Sequence, residues 1–166
     1  MTIASSGLGG CGYQLAGGSR DPLGPFTVTG GEIRTAYAEI AAAAEDGARG
    51  ELARQGAIGG GNGSTIFVEV LRVDETGDAI SAVGGGAGAV PVSQAVRITV
   101  VGDAWVRHDG MTTRATGDVR IVEIAARAGD AAHGVLVHDE AARRAARRLG
   151  VTLVRRVLGY PEPGDP

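Results

Sequence analysis

The amino-acid sequence predicts an α+β fold, a two-layer sandwich with two helices packed on one face of a mostly antiparallel four-stranded sheet. Three observations predict it. Apolar residues recur at helical spacing in two windows, Ile33 to Leu52 and Ala142 to Val157. Between them lie runs of strict alternation, and the longest of these ends at Asp109-Gly110, a pair suited to a tight hairpin. The chain has 166 residues, enough for one domain with a real core, and its 43% hydrophobic and 21% charged residues are ordinary for a globular protein.

The elements follow in chain order. Residues 12–25 are rich in Gly and Pro and read as a tether. Phe26 to Thr29 is a short β-branched and aromatic strand closed by Gly30-Gly31. Ile33, Tyr37, Ile40, Ala44, Ala48 and Leu52 then fall on one face of a helix, with Glu39, Glu45, Asp46, Arg49 and Arg54 mainly elsewhere. Gly56 is its stop. Gly47 and Gly50 each weaken this helix by up to about 1 kcal/mol relative to Ala, so it needs tertiary support. Thr65 to Val73 is a strand, Ile66, Val68 and Val70 pointing one way and Phe67, Glu69 and Leu71 the other. Asp74 to Ala89 reads as a long glycine-rich loop.

The best strand runs from about Val92 to Arg107, with Val96, Ile98, Val100, Ala104 and Val106 on one face. Arg97, Thr99, Asp103, Trp105 and Arg107 share the other, where Trp105 is either partner-facing or a core residue under a helix. Residues 112–125 return as the antiparallel partner after the His108-Asp109-Gly110-Met111 turn. Arg127 to Val137 reads as loop, and Asp139 as the cap of the last helix. That helix buries Ala142, Ala145, Leu149, Leu153 and Val157, carries six arginines largely off the stripe, and ends at Gly159 and Pro161.

Composition excludes several function classes. A net charge of −3 argues against a general nucleic-acid binder. No apolar run approaches the roughly 18 residues of a membrane-spanning helix. One cysteine makes neither an internal disulfide nor a multi-cysteine metal site. Gly7-x-Gly9-x-x-Gly12 spells the dinucleotide fingerprint, but no strand precedes it and no helix pattern follows directly. The runs Gly59 to Gly63 and Gly84 to Gly88 lack the Lys-Ser/Thr of a phosphate loop. No Gly-x-Ser-x-Gly elbow marks a nucleophile, and no paired carboxylates stand out as acid and base. His133 and His138 have no evident third ligand, so no metal site is expected. The arginines of the last helix could meet phosphates, but they read as the solvated face of an amphipathic helix.

The lone Cys11 stands after Leu8-Gly9-Gly10, the shape of a bacterial lipobox, in which small residues precede a cysteine that receives diacylglycerol. A signal peptide has a charged start and about 7–15 apolar residues, whereas residues 1–10 hold no Lys or Arg. Two readings follow from these residues: a lipidated Cys11 behind a truncated signal peptide, or a free thiol in a tail. The corresponding division is 1–10 residual signal peptide, 11–25 tether, 26–160 sandwich domain and 161–166 tail.

Taken in order, four segments resemble the LptE family of lipopolysaccharide-assembly lipoproteins. Cys11-Gly12-Tyr13-Gln14-Leu15 is similar to that family's opening, and Gly47 to Gly56 to the end of its first helix. Val96 to Val100 resembles its central strand, and Arg144 to Leu149 with Arg155 to Leu158 its last helix. The resemblance implies a non-enzymatic outer-membrane lipoprotein on the periplasmic face, anchored by a covalent diacylglycerol and acyl group on Cys11, with no other cofactor. It implies a partner, an LptD-type β-barrel that the domain plugs and helps assemble, with lipopolysaccharide as a possible ligand and nucleic acid as none. The family's lipid contacts are basic residues on loops at one end of the sheet. Asp78 to Pro91 holds none, which leaves Arg127 with His133 and His138 as the expected contacts. The alternative is another envelope lipoprotein, acting as an interaction module in a secretion or cell-wall assembly.

Overall fold

The computed structural model describes the backbone of residues 23–31, 38–59, 63–80, 93–126 and 131–160, with the side chains of 78–80, 93–94, 126 and 131–137 left aside. The element order is β1 (Thr27–Gly30), α1 (Ala38–Arg54), β2 (Thr65–Ile80), β3 (Ser93–His108), β4 (Met111–Ala115), β5 (Val119–Ala126) and α2 (Ala131–Leu158). β1 pairs in parallel with β2, and β2 pairs antiparallel with β3 from Thr65↔Arg107 to Ile80↔Ser93. Beyond β3, β4 takes the end at Trp105 to His108 and β5 takes Ala95 to Gly102, so both occupy one strand position. The α+β two-layer arrangement is as the sequence predicts.

Period-2 alternation places Ile66, Val68 and Val70 with Ile98, Val100, Ala104 and Val106 on the face that packs under both helices, all 3% exposed or less. A bulge between Val70 and Arg72 shifts the register, so that Val73 lies opposite Val100 and returns to the core face. α1 buries Ile40, Ala44, Ala48 and Leu52 as its spacing requires; Ile33 and Tyr37 lie outside the described residues. α2 buries Ala142, Ala145, Leu149, Leu153 and Val157, and also Ala141, Ala146, Val154 and Leu158. The wider apolar surface has a simple cause: α2 meets α1 as well as the sheet.

Both helices end the same way. Gly56 donates to the Ala53 carbonyl and Ala57 to Leu52, while Gly159 donates to Arg156 and Tyr160 to Arg155. Each glycine has positive φ, 63° and 73°, the left-handed position that closes a Schellman motif. The hairpin turn likewise has Asp109 at φ 50° and Gly110 at 81°, as a two-residue type I′ turn demands.

Three expectations need correction. Asp74 to Ala89 is not all loop, because β2 continues to Ile80. The polar run Asp74-Glu75-Thr76-Gly77-Asp78 has little strand propensity of its own, but each residue finds a ladder partner on β3. Residues 112–125 are not one strand. At the break Thr116 N–H donates to the Ala104 carbonyl while Thr116 Oγ1 accepts from Ala104 N–H, both at 2.9 Å. Gly117 follows at φ 66°, and the chain re-enters the sheet as β5. Arg127 to Val137 is not all loop, because α2 begins at Ala131 and Gly134 costs the helix only about 1 kcal/mol. Asp139 therefore stands within α2 and is no N-cap.

The two helices approach so closely that side chains are excluded. A Cβ at Gly47 would overlap the carbonyl of Arg147, and one at Gly150 would overlap that of Ala44. Gly50 meets nothing within 4 Å. Replacing Gly50 by Ala should therefore raise stability by about 0.5–1 kcal/mol, the helix-propensity difference. Gly47→Ala and Gly150→Ala should each lower it by about 1–3 kcal/mol through overpacking. Urea unfolding midpoints check the opposite signs; equal effects at Gly47 and Gly50 would contradict the close approach.

Candidate functional site

Of the residues singled out by the sequence, Cys11 and Arg127 lie outside the described residues. His133 sits in the first turn of α2, its side chain outside the description. His138 is placed: its Nε2 lies 2.6 Å from Glu75 Oε1 on β2, and its Nδ1 3.8 Å from Asp139. Five positions on a helix turn about 140° around its axis, so His133 and His138 do not share a helix face. The structure thus gives His138 a partner within the fold. Its contact with the polar extension of β2 is also what the loop reading of both segments missed.

His108 forms a second constellation. Its Nδ1 is 2.8 Å from Ser64 Oγ and its Nε2 3.4 Å from Asp109 Oδ2. Serine, histidine and aspartate are together, yet Ser64 is only 3% exposed, which keeps a substrate from its hydroxyl. Ser64 also offers its carbonyl to Thr27 N–H. The trio clasps the start of β2 to the hairpin turn. Among the described residues no group of three His, Cys, Asp or Glu could hold a metal ion, and no helix is long and apolar enough to cross a membrane.

The arginines of α2 are engaged within the fold. Arg143 reaches Glu39, Arg144 and Arg148 reach Glu123 at 3.5 and 2.9 Å, and Arg147 reaches Glu140 at 3.7 Å. The contact between Arg155 and Glu51 is of another kind. Glu51 is wholly buried; Arg155 Nε donates to its Oε1 at 2.7 Å, Gln55 to the same oxygen at 3.0 Å, and Arg54 Nε to Oε2 at 2.9 Å. Burial pushes the Glu51 pKa up, but the hydrogen bonds from Gln55, Arg54 and Arg155 and the charge of Arg155 outweigh it and hold it below its ordinary value. The sequence places Glu51 inside a familiar-looking segment without marking it as buried. A carboxylate one position before Leu52 on the apolar stripe was the available signal.

Trp105 lies on the sheet face away from the helices and stacks on Phe67, centroids 5.3 Å apart and planes within 4°. The Arg107 guanidinium sits 5.7 Å from the Phe67 ring centre. Farther along this face β5 exposes Val122 at 42% and Ile124 at 60%. From the sequence alone, residues 112–125 read as one partner strand with no second surface. The run Ile121-Val122-Glu123-Ile124, apolar on both faces, was the sign of a second surface.

No protein-family profile matches the chain, and no curated protein sequence matches it. Among solved structures, the fold is shared with a candidate lipoprotein from Caulobacter crescentus, at a TM-score of 0.55 and 11% identity. That likeness covers 82% of this chain and 90% of that one. A minor lipoprotein from Acinetobacter baumannii aligns at a TM-score of 0.48 and 7% identity, over 81% of this chain and 91% of that one. At 11% identity, the structural likeness to the Caulobacter protein shows a common fold and leaves residue roles to each chain's own geometry.

Glu51 supplies the test of this region. Glu51→Gln removes the charge that Arg54 and Arg155 share and should cost about 2–3 kcal/mol. A carboxylate whose pKa falls on folding contributes fully above its ordinary value near 4.5, and the contribution is lost as pH falls through the folded value. Urea unfolding of the two proteins at pH 7 and below pH 4 should therefore show the gap narrowing in acid. A gap independent of pH would contradict the assignment.

Proposed function

We propose that this chain is a lipid-anchored envelope protein of the LptE type, a non-enzymatic partner that plugs and helps assemble an outer-membrane barrel for lipopolysaccharide export. The observation that carries the reading is the fold shared with the Caulobacter candidate lipoprotein over 90% of that chain. The lone Cys11, with Gly9-Gly10 before it and fifteen positions ahead of Phe26, supports it from the sequence side. Anchoring is physically adequate, because each buried acyl CH₂ contributes about 0.8 kcal/mol and more than one chain holds a protein stably. A sandwich whose two helices are locked by close backbone contact and a buried carboxylate is a rigid body, which suits a plug. The lipopolysaccharide contact would fall to Arg127 and the neighbourhood of His133 and His138.

One observation favours a second reading. Asp78 to Pro91 contains no basic residue, and the α2 arginines already serve acidic partners in the fold. An envelope lipoprotein acting as an interaction module in a secretion or cell-wall assembly needs no lipid-A contact.

Intact mass of the protein expressed from its native locus and taken from membranes tests the anchor. The expected mature form begins at Cys11 and carries diacylglycerol and N-acyl mass, and Cys11→Ala releases the chain from membranes. An unmodified Cys11 in membrane-free protein would sink the reading. Co-purification of an LptD-type barrel with the acylated form supports the first reading, and acylation with a different assembly supports the second.

A further inference from the structure

We propose that the outer edge of β5 docks an extended, acidic segment of a partner protein, which joins the sheet as an additional strand. The inference goes beyond the functional reading above and does not rest on the lipid anchor. β5 is eight residues long and pairs through one edge with β3, from Gly102↔Val119 to Ala95↔Ala126. Among the described residues no strand pairs its other edge, and no backbone bond outside the β3 ladder reaches residues 119–126. A free edge presents a row of N–H and C=O groups that template another strand. Natural edges are blunted by prolines, bulges, short length or inward charges; β5 has neither proline nor bulge, and its one inward charge, Glu123, is met by Arg144 and Arg148.

The side chains define what would fit. Val122 and Ile124 are exposed on the face away from the helices, apolar positions for alternate residues of an incoming strand. Arg120 precedes them on that face, opposite Val101, and Arg97 lies opposite Ile124. On the helix side, Arg144 and Arg148 stand beside the same edge, both drawn to Glu123. Arg120 on the outer face, and Arg144 and Arg148 sharing Glu123 on the helix side, thus set three guanidiniums against Glu123 along β5 and Asp118 just before it. This local excess of positive charge arises in a chain of net charge −3. It favours a strand carrying Asp or Glu opposite Arg120 and apolar residues opposite Val122 and Ile124.

The test uses the full chain, ¹⁵N-labelled, with a blocked peptide Thr-Glu-Val-Asp-Val-Glu-Ile-Thr and its counterpart with lysine at each acidic position. Amide shifts should concentrate at residues 119–126 with the acidic peptide, and the lysine peptide should bind about tenfold or more weakly, as like-charge juxtaposition dictates. Arg120→Glu should narrow or reverse that preference while leaving the other amide resonances in place, and Val122→Lys should weaken both peptides. Four results would overturn the proposal. These are no shifts at β5, equal shifts with both peptides, β5 shifts with phosphatidylglycerol vesicles but not with the acidic peptide, or concentration-dependent dimerisation through β5 without peptide.

Discussion

The rest of the structure depends on the near-contact of two helix backbones. Where α1 crosses α2, Gly47 faces the Arg147 carbonyl and Gly150 faces that of Ala44, with no room for a Cβ at either position. Small buried residues, Ala44 and Ala48, stand beside Gly150 at the approach. The approach also brings together charges 104 positions apart in the chain, Arg143 with Glu39 at one end and Arg155 with Glu51 at the other. A helix rich in alanine and glycine has little large apolar surface to bury. Close packing supplies through many short contacts what large side chains would supply elsewhere. The buried carboxylate of Glu51 then ties the two faces together, since a shift along either helix would cost it the Arg155 hydrogen bond and leave only the local Arg54 and Gln55.

Much of this was legible in the residues. The alternation of β3, the buried stripe of α2, the Asp109-Gly110 turn and the stops at Gly56 and Gly159 all rest on local rules that tertiary contacts reinforce. The misread segments share one feature, a local preference overridden by long-range pairing. Asp74 to Asp78 has loop composition but is held by its ladder with β3. Residues 131–137 precede an apparent cap at Asp139, yet the helix passes straight through, and His138 on it is tied to Glu75 across the fold. Thr116 replaces one backbone acceptor with its hydroxyl, a substitution no periodicity reveals. Gly47 looked like a weakness of α1 and is a requirement of its packing.

The candidate site was less legible, for a physical reason. A catalytic centre announces itself through clustered titratable groups, whereas an interaction module is defined by what its surface leaves open. The histidines and arginines that drew notice in the sequence are largely engaged inside the fold. The informative surface is the β5 edge, where Val122 and Ile124 remain exposed beside Arg120. A strand apolar on both faces reads simply as buried until the layers are assembled and one face is found uncovered.

The molecule is a helix-and-sheet body in which, among the described residues, the outer edge of β5 has no strand partner. Native-state hydrogen exchange of the isolated chain tests this most directly. Amides in the seam, around Ala48 and Gly150, should exchange only through global unfolding. Along β5, the amides bonded to β3 should be protected, while those alternating with them on the outer edge exchange as freely as exposed loops. Uniform strong protection of every amide from Val119 to Ala126 would show the edge to be covered, and rapid exchange in the seam would show the helix pair not to be the clamp. Either result would contradict the account.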